Sequence, residues 1–110
     1  MVHIRRTDTE TKNLFTFFEF CGFDTWEEAD VLARILTEQM GCRLTHELIG
    51  PYSKHHTYER NGFLFKLLHH DDIGNCLCNQ FKQDVIYYTQ LGEIAEELLE
   101  KLLSLLGLHC

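Results

Sequence analysis

The chain is poor in proline and lacks a long apolar run. Pro51 is the single proline among 110 residues, and no segment rich in proline, glycine or serine divides the sequence. A chain of this length usually forms one domain, so we expect a single domain over residues 1–110. Glutamates interrupt the longest apolar stretch, in the C-terminal third, which argues against a membrane-spanning helix and a membrane partner. Residues 1–12 are polar, unlike a signal peptide, so a cytoplasmic location is expected.

Basic residues are few and scattered. The chain has 10 Lys and Arg residues against 17 Asp and Glu residues, and its formal net charge is −7. Arg5 and Arg6 are the single adjacent basic pair. Since proteins that bind nucleic acids usually carry a basic patch, we expect no nucleic-acid partner. The acidic balance instead permits a basic partner.

Familiar catalytic motifs are also absent from the sequence. It contains no glycine-rich phosphate loop, no Gly-x-Ser-x-Gly and no His-Glu-x-x-His. We therefore assign no catalytic residue and no cofactor. The five cysteines are an odd number without the spacing of a small disulfide scaffold, so reduced thiols are expected.

Two helices are predicted from apolar spacing. Thr25 and Glu28 match a capping box, in which the Thr hydroxyl accepts from the Glu28 amide while the Glu28 carboxylate reaches back. Apolar residues then recur at helical spacing as far as Met40, which predicts a helix over residues 25–40. A second helix is predicted over about 90–106, because leucines and Ile94 share one face while glutamates share the other.

Five strands are predicted from short apolar or alternating segments, at residues 13–20, 42–49, 54–60, 63–70 and 76–88, the last with an expected bend or break around Lys82 to Asp84. Asn61-Gly62 separates two of them and is the preferred pair of a type I′ hairpin turn, because both positions need positive φ. Strands linked by hairpins pair antiparallel. The predicted fold class is therefore α+β in the order β-α-β-β-β-β-α, an antiparallel sheet of four to six strands with two helices on one face.

A candidate metal site surrounds the turn that follows His69. If a symmetric hairpin closes there, His69 faces Cys76, and Cys78 lies next on the same side, so two thiolates and an imidazole approach a zinc site. His56 on the neighbouring strand would be a fourth ligand. However, Cys-x-Cys is not the usual structural spacing, and small buried cysteines are the more common explanation. We therefore expect no bound metal.

Two adjacent histidine pairs, His55-His56 and His69-His70, are candidates for acid–base chemistry. Adjacent residues of a strand face opposite sides of the sheet, so the members of each pair are expected to point apart. An acidic chain without clustered cations is also a poor host for phosphoryl transfer. Surface or packed histidines are the more common case, and a metal-dependent or histidine-dependent enzyme stays an alternative.

The predicted second helix has an acidic face. Its glutamates include the like-charged i, i+4 pairs Glu93–Glu97 and Glu96–Glu100, which destabilise an isolated helix slightly. A helix selected for stability alone would mix the signs of its charges. Asp71 and Asp72 add acid at the turn before Cys76. We therefore expect these six carboxylates to bind a partner, against the alternative of a solvated surface.

In architecture and charge the whole chain resembles the immunity proteins of bacterial contact-dependent growth inhibition systems. The residues that fit this class are Glu93, Glu96, Glu97, Glu100, Asp71 and Asp72. The resemblance implies a cytoplasmic protein that neutralises a cognate toxin domain, often a basic nuclease. A structural module that forms homodimers through a sheet edge or the leucine-rich helix is the third hypothesis.

Overall fold

A computed structural model describes residues 2–8, 16–79 and 84–107, which form six strands and two helices. In chain order these are β1 (His3–Asp8), β2 (Thr16–Cys21), α1 (Trp26–Glu38), β3 (Arg43–Ile49), β4 (Ser53–Arg60), β5 (Phe63–His70), β6 (Gly74–Cys78) and α2 (Val85–Leu105). The strands form one sheet in the order β1-β2-β6-β5-β4-β3. Every neighbouring pair in it is antiparallel.

The predicted α+β class is confirmed, with two helices and an antiparallel sheet. From β2 onward, the elements follow the predicted order β-α-β-β-β-β-α. Strand β1 precedes them, in a polar segment where no strand was predicted. It pairs with β2 over six residues, so backbone hydrogen bonding at the edge of the sheet compensates for its few apolar side chains.

The start of α1 has the predicted capping box. The amide of Glu28 donates to the Thr25 hydroxyl over 3.1 Å, and the Thr25 amide donates to the Glu28 carboxylate over 3.1 Å. These two bonds satisfy amides that the first turn of a helix leaves unpaired. Ala29, Leu32 and Leu36 of this helix are buried, as their spacing predicts.

The β4–β5 hairpin closes through the predicted type I′ turn. Asn61 has φ +52° and Gly62 has φ +81°, so both central residues lie in the left-handed region. The register pairs Arg60 with Phe63, and it continues without a shift to Ser53 and His70. The hairpin therefore determines which side chains of β4 and β5 share a face.

Helix α2 begins at Val85, earlier than predicted. The expectation that residues 85–88 extend a strand from 76 is wrong. Asp84 caps the helix by accepting from the Tyr87 amide over 3.0 Å, and Tyr88 is buried on the core side of the first turn. No helix in the described ranges is long and apolar enough to cross a membrane.

Both helices pack on the same face of the sheet, which we call the covered face. The core between them contains Phe20, Phe65 and Leu77 from the strands, Leu32 from α1 and Leu98 from α2. We call the other side the open face, because neither helix packs on it. It carries a smaller apolar cluster of Leu68, Cys76, Cys78 and the half-buried Phe17. All seven residues of β3 are exposed, so the helix layer does not extend over this edge.

Candidate functional site

The outer side of α2 carries four glutamates, which we call the glutamate ridge: Glu93, Glu96, Glu97 and Glu100. The ridge follows from the helical period, because Leu91, Ile94, Ala95, Leu98 and Leu102 occupy the opposite, buried side. Glu93, Glu96 and Glu100 are exposed, and Glu97 is half-buried. All four side chains line the same open groove, as their spacing predicts.

Glu97 is fixed by an ion pair with Arg60 at the end of β4. The two guanidinium nitrogens lie 3.0 and 3.1 Å from the two carboxylate oxygens, a bidentate arrangement. The hydrogen bond to Glu97 raises the pKa of Arg60 above its usual value. Within the part of the chain that the structure describes, no ion pair involves Glu93, Glu96 or Glu100. Three ridge carboxylates therefore remain available to an incoming cation.

Concave surfaces flank the ridge on both sides. A pocket of about 270 Å³ lies between α2 and the β4–β5 hairpin, where Phe63, Ile94 and Arg60 line it beside Glu93 and Glu97. A second, more open groove of about 560 Å³ lies on the side of β2, and Phe18 forms its floor. The ridge is thus a strip of carboxylates between two hollows that each contain an aromatic ring.

Gly92 shapes the second groove. A Cβ atom at this position would lie 3.3 Å from the Phe18 ring, so the absence of a side chain lets the helix approach β2 closely. Glycine inside a helix costs about 1 kcal/mol relative to alanine, and this approach is the compensating contact. The Arg6 guanidinium lies 5.6 Å from the centre of the same ring, on the side of β1. A glycine in the middle of an otherwise strong helical pattern is the sequence signal that could have indicated this groove, and it was missed.

Asp71 and Asp72 lie far from the ridge, in the turn between β5 and β6. The β4–β5 hairpin, beside the ridge, is at the opposite end of β5, a span of about 23 Å for a strand of this length. Both residues have local contacts: Asp71 lies 3.3 Å from His69 Nε2, and the Asp72 amide donates to His70 Nδ1 over 3.0 Å. The six predicted partner-binding carboxylates therefore form two separate patches.

The structure does not bring the predicted metal ligands together. The expected pairing of His69 with Cys76 is wrong. The turn between β5 and β6 is one residue shorter than the symmetric hairpin assumed, so His69 pairs with Asn75 and His70 with Gly74. His69 therefore projects from the covered face, while Cys76 and Cys78 project from the open face. Among the described residues, no group of three His, Cys, Asp or Glu side chains has a geometry that would hold a metal ion.

The paired histidines likewise point to opposite faces. His56 is buried on the covered face, and its Nε2 lies 3.8 Å from the nearest Glu47 carboxylate oxygen. Within the described residues this nitrogen has no hydrogen-bond partner, and burial lowers the pKa of His56. His55, on the open face, has its Nδ1 3.4 Å from Lys66 Nζ.

A buried polar network on the covered face was not predicted from the sequence. Lys54 is buried, and its ammonium donates to the Trp26 carbonyl over 3.0 Å and to Asp30 over 2.9 Å. The same ammonium lies 4.2 Å from the Trp26 ring centre. The Trp26 ring in turn meets His69 edge to face, with centroids 5.5 Å apart. These contacts attach the start of α1 to β4 and β5, so this network is structural.

Comparisons with protein-family models, with curated proteins and with solved structures returned no match to this chain.

Proposed function

We propose that this chain is a cytoplasmic, immunity-type protein that binds and neutralises a basic protein partner, in the first instance a nuclease toxin domain. The observation that carries the proposal is the glutamate ridge with its two flanking hollows. Of the two acidic patches, we assign the contact to the ridge, because its four carboxylates lie between two hollows, whereas the turn carries two carboxylates.

The ridge suits cationic side chains for a physical reason. Lysine and arginine carry an apolar stem and a charged head. A stem can lie against Phe63 or Phe18 in a flanking hollow while the head reaches Glu93, Glu96 or Glu100. A nuclease active site holds phosphates with such cations, so a surface that occupies them blocks the substrate.

Two further features support binding of a basic protein. The Arg60–Glu97 ion pair joins the hairpin to α2 and limits the movement of the groove wall. The net charge of −7 accelerates encounter with a basic protein, since complementary charge raises association rates well above those of neutral pairs.

The first test is co-expression with the protein encoded beside this chain. The proposal expects that neighbour to be toxic alone, and to be bound and neutralised when this chain is present. A neighbour that is harmless, or that this chain neither binds nor inhibits, would remove the proposal.

The β3 edge favours a second candidate function, assembly into a homodimer. Leu48 and Ile49 of β3 are 60% and 54% exposed, and Tyr52 just after it is 65% exposed. A free strand edge can pair with another chain, and two copies can meet symmetrically along the same edge. Sedimentation of the wild type and of Leu48→Lys measures this directly: a dimer that the substitution dissociates supports it, and a monomeric wild type excludes it.

A further inference from the structure

Cys76 and Cys78 form a closely packed pair of thiols on the open face. They are two residues apart on β6, so both side chains project from the same side of the strand. Their side chains are 0% and 2% exposed, and they pack with each other, Leu68 and Phe17. A hydrogen bond joins the two thiols. The open face therefore holds two sulfur atoms in contact and almost shielded from solvent.

Charged side chains lie beside each sulfur on the adjoining strands. Lys66 of β5 is directly opposite Cys78, and Glu19 of β2 is directly opposite Cys76. Glu19 is itself paired with Arg5 of β1. Lys66 therefore places a cation beside the Cys78 sulfur.

We propose that Cys76 and Cys78 form a two-coordinate site for a soft monovalent metal ion, with Cu(I) as the biological candidate. Thiolates are soft ligands that select such ions, and Cu(I) is satisfied by two sulfurs on opposite sides. Zinc requires about four ligands, and among the described residues no third His, Cys, Asp or Glu side chain joins this pair in a group that could hold a metal ion. The site is distinct from the glutamate ridge, which lies on the helix above the covered face.

Metal binding at this pair is an exchange of protons for a cation without electron transfer. One Cu(I) replaces the protons on the two sulfurs, and the product is a bis-thiolate complex of charge −1. The Lys66 ammonium opposite Cys78 offsets this charge. Since the ligands must lose protons, affinity increases with pH.

The remaining described cysteines provide contrasts. Cys42 is buried in the main core, where burial raises the pKa of its thiol, and no second cysteine shares its cluster. Cys21 lies at the end of β2 and is half-buried. Cys21→Ser is therefore the matched control, because it removes one thiol from the same sheet and leaves the pair intact.

The test is anaerobic titration of the reduced full chain with Cu(I) against a chromophoric Cu(I) chelator. We expect one tightly held Cu(I) per chain, retained in Cys21→Ser. Cys76→Ser and Cys78→Ser should each weaken binding by more than about 100-fold, and Lys66→Gln by about tenfold. Zinc(II) under the same conditions should not be retained. Binding that persists in both pair variants, or is lost in the control, would overturn the proposal.

Both sulfurs are buried, so a serine substitution can also destabilise the fold. Thermal unfolding of each variant therefore shows whether it is folded before its titration is interpreted. X-ray absorption spectroscopy of the wild-type Cu(I) complex gives an answer that does not depend on the variants. The proposal expects two sulfur neighbours and no nitrogen or oxygen neighbour. A third sulfur or a nitrogen ligand would contradict it.

Discussion

The imidazole Nδ1 of His69 donates to the side-chain oxygen of Asn75 over 2.7 Å, within the β5–β6 hairpin. The amide nitrogen of Asn75 donates in turn to the carbonyls of Phe23 and Thr25, over 2.9 and 3.1 Å. These two bonds determine the orientation of the amide, so its oxygen must be the acceptor toward His69. One buried asparagine therefore joins β5, β6 and the loop that leads into α1.

Replacing Asn75 by leucine should destabilise the protein by about 3 kcal/mol. The change removes the partner of the His69 donor and of the buried Phe23 carbonyl, and each buried unsatisfied group costs about 1–3 kcal/mol. The Thr25 carbonyl loses one bond but still accepts from the Ala29 amide. Denaturant unfolding of Asn75→Leu against the wild type measures the loss. His70→Asn is the control, since His70 neighbours His69 but faces the open side and is half-exposed, and an Asn side-chain oxygen can still accept from the Asp72 amide. Equal losses in the two variants would show that the network contributes little.

Gly62→Val should destabilise the protein by about 1 kcal/mol or more. A branched side chain is strained at φ +81°, and no atom lies close enough for a clash to explain the loss. Asn61→Gly is the control, because glycine adopts the φ of +52° at that position freely. A melting temperature for Gly62→Val equal to that of the wild type would argue against the type I′ turn and the register derived from it.

Local signals explain why much of the fold was predictable from the sequence. The capping box at Thr25 and the Asn61-Gly62 turn each depend on neighbouring residues alone, and both have the predicted geometry. The start of α2 was misplaced because Val85 and Ile86 resemble strand residues, and they are exposed rather than part of an apolar stripe. Strand β1 has no apolar pattern at all, so its pairing with β2 supplies the reason for its conformation.

The candidate site was predictable only in part. The acidic side of α2 follows from helical spacing, but Arg60 and Phe18 come from distant strands and could not be placed beside it. His69 does not face Cys76, because the turn between β5 and β6 is one residue shorter than expected. A shift of one residue moves every side chain of a strand to the other face, and no local signal determines the length of that turn.

His56 should make stability depend on pH between about 7 and 5. Burial lowers its pKa below the ordinary value of about 6.5, so the unfolded chain binds a proton more readily than the folded one. The stability that neutral His56 contributes is therefore fully present above pH 6.5. It is lost as the pH falls through the lower pKa that His56 has in the folded protein. Of the charged groups around His56, Glu47 and Asp30 favour the protonated imidazole, and Lys54 disfavours it.

Unfolding measurements at pH 7 and pH 5 check this dependence. His56→Gln should show a smaller loss of stability over this interval than the wild type. His46→Gln, at an exposed position of β3, should keep the wild-type dependence. If His56→Gln retains the full loss, His56 is not its source, and His55, whose pKa burial also lowers, becomes the next group to test.

Neutralising the three exposed ridge carboxylates should weaken partner binding more than neutralising three exposed carboxylates on and before α1. The ridge variant is Glu93→Gln, Glu96→Gln and Glu100→Gln, which leaves the Glu97–Arg60 ion pair in place. The control variant is Asp24→Asn, Glu27→Gln and Glu38→Gln, at exposed positions in and before α1. Both variants lose the same formal charge, so an effect of net charge alone is common to them.

Calorimetric titration of these two variants and the wild type with the neighbouring protein measures whether the ridge is the contact. If it is, the dissociation constant should be at least about tenfold higher for the ridge variant, equivalent to about 1.4 kcal/mol, and should change by less than about threefold for the control. Similar weakening in both variants, or wild-type affinity in the ridge variant, would contradict the assignment of the contact to α2.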